Sequence, residues 1–144
     1  MDFQNPQDIE AKVEARHRVF LILWAAIFVS VGLLTTLAVV IGSNGTPNTA
    51  LSYALLGIGA MMVAVSFLLR QKLSQQAIDK NDIAALQTAH ILSLALSESA
   101  ALFGLVDRLS TSSSTSWFLF ALSAFGILLS FPSKDWIRQV TYKR

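Results

Sequence analysis

A single carboxylate stands in the middle of an apolar run. Residues 95–106 read A-L-S-E-S-A-A-L-F-G-L-V, and of nine acidic residues only Glu98 lies deep within such a run. A charge at the centre of a bilayer costs roughly 2.5–3.5 kcal/mol on insertion scales. Burial away from water disfavours the charged form, so Glu98 is expected to hold its proton near neutral pH unless it is paired. Ser93, Ser97 and Ser99 supply nearby hydroxyls. Two kinds of chemistry fit this pattern. In one, Glu98 binds and passes on a proton or another ion. In the other, a neutral Glu98 hydrogen-bonds a neighbouring helix and holds a bundle together.

His90 is the second residue with chemical capacity. It precedes Ser97 by seven residues and shares its helical face. A buried membrane histidine can hold the metal of a chlorin or haem axially. The plainer reading is a polar residue at headgroup level beside Gln87. His17 lies in a charged segment and is expected in solvent. Metal or thiol chemistry through cysteine is excluded, because the chain has none. The Gly57-Ile58-Gly59 pair sits inside an apolar run and reads as packing, not as a phosphate loop. With no triad, no H-E-x-x-H and no paired carboxylates, the expectation is that the chain is not an enzyme.

These residues need apolar helices to carry them. The chain has 144 residues, 53% hydrophobic and 14% charged, against about 25% charged in ordinary globular domains. Its mean hydropathy is +0.55. Residues 19–42 hold no charge and as a helix reach roughly 36 Å, enough to cross a bilayer. The run is longer than the apolar region of a cleaved leader, which predicts a permanent span with Trp24 near its entry end. Further spans are expected over 50–69 and 83–106, with the lipid-buried part of the latter starting near Ala89. Residues 117–131 make a shorter run. Extended to 115–132, it is read either as a fourth span between Trp117 and Trp136 or as a re-entrant or interfacial helix.

Between these runs lie a turn at 43–49, a polar connector at 70–82, where Asn81 or Asp82 is a cap candidate, and a Ser/Thr-rich loop at 107–116. Residues 1–18 predict a short helix on or rising from the membrane surface, opened by Asn5-Pro6. The i,i+4 pairs Asp8/Lys12 and Glu14/Arg18 support it, with Ile9 and Val13 on one side. Residues 133–144 are expected to form a polar tail. The fold class expected is an all-α, integral membrane four-helix bundle forming a single domain.

Charge placement predicts orientation. Lys12, Arg16 and Arg18 precede the first span; Arg70, Lys72 and Lys80 follow the second; Lys134, Arg138, Lys143 and Arg144 follow the fourth. Only Arg108 lies in the other loops. The positive-inside rule then sets both termini in the cytoplasm. It also assigns the basic residues to topology and anionic lipid rather than to nucleic acid. Small residues predict close helix packing: Ser93, Ser97 and Ala101 form one ridge, Ala100 and Gly104 another, and Gly57, Ala60 and Ala64 a facing groove.

The stretch 51–106 resembles the helical hairpin of the c subunit, or proteolipid, of rotary F-type ATP synthases. Ala95, Leu96, Glu98, Ser99, Leu102, Phe103, Gly104, Leu105 and Val106 match its carboxylate motif, A-[FL]-x-E-[AS]-x-x-[IL]-[YF]-G-L-V, and Arg70-Gln71 matches its polar loop. Of that family's repeated first-helix glycines only Gly57 and Gly59 are present, and Lys72 replaces the loop proline. The resemblance implies a proton- or ion-carrying Glu98, partner contact through Arg70 and Gln71, and packing among copies of itself or other membrane subunits. It also implies a bacterial-type inner membrane or another energy-transducing membrane. The alternative expectation is a structural accessory subunit of a bioenergetic or photosynthetic complex, packing against lipid and larger subunits, with His90 as a chlorin or haem ligand.

Overall fold

Helix is the only regular structure among the described residues of the computed structural model, which are 6–42, 45–80 and 82–142. Asn5, the turn residues Ser43 and Asn44, the cap candidate Asn81, and Lys143 and Arg144 lie outside them. The chain runs α1 (Pro6–Ile41), α2 (Thr49–Lys80), α3 (Ile83–Thr111), α4 (Ser116–Leu129) and α5 (Lys134–Tyr142). The first three are long and apolar enough to cross a membrane. The last two form a pair bent by 47° at a short break.

Several boundaries differ from the sequence reading, each for a local reason. The surface helix and the first span are one unbroken helix of 36 residues. No Gly or Pro separates them, and the charged turns continue the same helical register. The connector expected at 70–82 is helical as far as Lys80. Its residues are good helix formers, and Ala77 and Ile78 stay buried. The turn is instead made at Asp82, whose carboxylate caps α3 by accepting from the Ala85 amide at 3.1 Å.

At the opposite end, α3 continues past Asp107 and Arg108, leaving a loop of only 112–115. Ser112 ends the helix in the left-handed region at φ 54°, a conformation more usual for Gly or Asn. Its hydroxyl donates to the Gly45 carbonyl at 2.8 Å, tying the loop before α2 to this terminus. The predicted polar tail is helix α5, with Ile137 and Val140 buried. Helix α4 stops at Leu129, short of Pro132, which cannot donate to a continuing ladder.

Two apolar cores result. Val31, Ala38, Leu94, Ala101, Phe120 and Ile127 join α1, α3 and α4 within the apolar spans. A separate cluster sits among the charged turns, where Val13 and Phe20 of α1, Ala77 and Ile78 of α2, Leu86 of α3, and Ile137 and Val140 of α5 meet. It makes the N-terminal turns of α1, the end of α2, the start of α3 and α5 a small cap on the basic end of the bundle. Arg138 reaches Glu10 at 3.2 Å on its surface, and Arg18 pairs with Glu14 at 3.2 Å as expected. His17, expected in solvent, is half-buried there, and burial, aided by nearby Lys134 and opposed by Glu14, lowers its pKa.

Candidate functional site

Helix α3 is the shared wall of the bundle, touching each of the other helices. His90, Ser93, Ser97, Gly104, Asp107 and Thr111 are all buried along it. Their spacing of three, four and seven residues keeps them on one side. Ser97 and Ser66 of α2 are 3.1 Å apart. The Ser66 hydroxyl donates to the Val63 carbonyl at 2.8 Å, so Ser97 is the donor of that pair. Ser93 meets Ser130, beyond the end of α4, at 3.1 Å. Ser99 donates to the Ala95 carbonyl of its own helix at 3.0 Å.

None of these serines bonds Glu98, contrary to the sequence expectation. Adjacent positions on a helix point about 100° apart, so Ser97 and Ser99 diverge from Glu98. Ser93, five positions back, is turned further still. The partner of Glu98 is Ser30, whose hydroxyl donates to its Oε1 from α1. Both residues are half-buried, and each lies at the middle of its predicted apolar span. A signal for this pair was present, since Ser30 is a polar residue at the matching depth of the first span.

The small-residue groove on α2 is also shifted. Gly57, Ala60 and Ala64 are exposed, and a methyl at Gly57 would meet nothing within 4 Å. The buried line is Ser52, Leu55, Gly59 and Ser66. Gly57 and Gly59 are two residues, or about 200°, apart, so only one can face α3. A methyl on Gly59 would run into Leu119 of α4. At Gly126 it would stand 2.9 Å from Ser97 Oγ and 3.1 Å from Val63.

Arg70 and Gln71 do not occupy a loop; both lie in α2, well before its end. Gln71 is exposed. The Arg70 guanidinium donates to the carbonyls of Leu129 at 2.6 Å and Phe131 at 3.0 Å and lies 5.3 Å from the centre of the Trp136 ring. It therefore satisfies the terminal carbonyls of α4 and braces the bend into α5. Trp24 of α1 also donates to a carbonyl near the end of α4, that of Ile127, at 2.8 Å.

His90 is 5% exposed and packs edge-on against Phe20, with ring centres 5.1 Å apart. The cavity beside it measures about 20 Å³. In this arrangement that space is smaller than a chlorin or haem.

Asp107, assigned by sequence to a loop, is fully buried. Its Oδ1 accepts from Ser52 and from Thr111, both at 2.7 Å, and those two hydroxyls are 2.9 Å apart. The clue was Asp107 and Thr111 at i,i+4 with Ser52 early in the second span. Next to it, Arg108 lies 5.5 Å from the centre of the Trp117 ring. Among the described residues no three His, Asp or Glu side chains converge as metal ligands. The two carboxyls within the apolar helices, Glu98 and Asp107, each accept a hydrogen bond from a serine of another helix. No family model, curated protein or solved structure matches the chain.

Proposed function

We propose that the chain is a small multi-pass membrane subunit that offers Glu98 as a protonated carboxyl to a neighbouring membrane protein. Three spanning-length helices and the bent α4–α5 pair support four crossings. The basic residues gathered at one end support cytoplasmic termini. The observation that carries the reading is the incomplete burial of Glu98. The serines Ser66, Ser93, Ser97 and Ser123 are buried inside the bundle, whereas Glu98 is half-buried on the seam of α1 and α3. One carboxyl oxygen is held by Ser30.

A charge in hydrocarbon is costly, so release of a proton from Glu98 would call for a polar groove on a partner, which is the arrangement that the resemblance to rotary c subunits implies. Labelling in native membranes with a hydrophobic carbodiimide tests this. The expected result is modification at Glu98 that is blocked at alkaline pH and lost in Glu98→Gln. Labelling by a water-soluble carbodiimide instead would place the acid in bulk solvent and remove the proposal.

A second reading is an accessory subunit in which Glu98 only joins helices. The Ser30–Glu98 bond favours it, because it ties α1 to the α2–α3 hairpin. Glu98→Gln separates the two readings. An amide oxygen still accepts from Ser30, so a joining role survives in partner co-purification, while proton exchange is abolished.

A further inference from the structure

We infer that the cavity on the basic end, between Arg70, Ser74, His90, Ser133 and Trp136, binds a small monovalent anion of halide size. Four observations converge there, all independent of Glu98. Arg70 places a charge in a half-buried position, and its guanidinium donates to the Leu129 and Phe131 carbonyls, neutral groups that do not cancel it. No carboxylate lines the cavity. The first-turn acid of α5, Asp135, is exposed and is not part of that lining, although the hydroxyl of Ser133 in the wall donates to it at 3.5 Å.

His90 adds a second polar group. It is 5% exposed, lines the cavity, and its Nε2 has no hydrogen-bond partner. A buried ring nitrogen left in this way costs free energy unless something accepts from it or donates to it. The nine-residue helix α5 begins beside the same space, with Ser133, Trp136 and Ile137 in the wall. Its N-terminus contributes partial positive charge. A guanidinium, an imidazole nitrogen, the Ser74 hydroxyl and a helix N-terminus thus border one space.

The cavity of about 20 Å³ exceeds the roughly 10–15 Å³ that one water needs, and a monatomic anion makes the least demand on that space. The bound anion offsets the Arg70 charge and links α2, α3 and the α4–α5 corner, which joins the cap to the spans.

The test uses the full chain in detergent, with sodium chloride or bromide compared against gluconate and sulfate at matched ionic strength. Halides should raise the melting temperature saturably, on the order of 3 °C, and the other salts should not. His90→Phe keeps the ring against Phe20 and removes the nitrogen, so the halide response should vanish. Ser74→Ala should raise the half-saturating halide concentration. In wild-type crystals grown in bromide, an anomalous peak should lie between Arg70 and His90. Equal stabilisation by all four salts, a response that persists in His90→Phe, stabilisation by phosphate or anionic lipid in place of halide, or an absent bromide peak would each overturn the proposal.

Discussion

Ser30 and Glu98 meet because each sits at the middle of its own span. The strength of that pair follows from its surroundings. Hydrogen bonds between membrane helices average about 0.6 kcal/mol in double-mutant cycles, with a maximum near 1.7. Ser30→Ala should therefore destabilise the fold by about 0.6 kcal/mol. Glu98→Gln should change it less than Glu98→Ala, and the Ser30→Ala, Glu98→Ala cycle should recover a coupling of the same size in denaturing-detergent titrations. A coupling of zero would mean that the bond contributes nothing to helix association. Asp107 is the sharper case because it is fully buried and accepts two hydroxyls. Asp107→Asn keeps an acceptor oxygen for Ser52 and Thr111. Asp107→Leu leaves both without it and should cost about 1–3 kcal/mol in the same titration.

Helix packing depends on which small residue faces a neighbour. Gly126 lets Ser97 and Val63 approach its backbone, so Gly126→Ala pushes two packed side chains and should cost about 1–3 kcal/mol. Gly57 faces open space. Gly57→Ala should be neutral or stabilise by about 0.5–1 kcal/mol, since alanine restricts the unfolded chain. Thermal melts of the two variants should move in opposite directions or leave Gly57→Ala unmoved. At this scale the sequence reading was partly correct. It found the apolar runs and the α3 ridge, because hydropathy and small-residue spacing are local properties. It chose the wrong side of α2, because both glycines are equally small and only the partner distinguishes them. It ended helices at charges, yet Arg70 and Asp107 stay helical where other helices supply their partners.

The described residues form a helical bundle, three of its helices long and apolar enough to cross a membrane, with a capped basic end, and the cap is expected to have its own pH response. The pKa of His17 is lowered from its ordinary value of 6.5, first by burial and then by Lys134. Below 6.5 the unfolded chain takes up the proton more readily than the folded one, so stability falls as pH falls through that range. Stability is fully present above 6.5. His17→Asn should flatten the fall in melting temperature between pH 7.5 and 5.5 relative to wild type. An unchanged slope would show that His17 does not feel the cap.

What the chain alone determined was the membrane class: long charge-free runs, basic residues grouped between them, and one acid at mid-depth. Those are properties of composition and order, which lipid and water read directly. What only the tertiary structure decided was which groups meet. Glu98 found Ser30 rather than its neighbouring serines, Arg70 found the end of α4, and a tail became a helix over a second core. Contacts of this kind depend on helix rotation and crossing, and those are set by close packing between segments far apart in sequence.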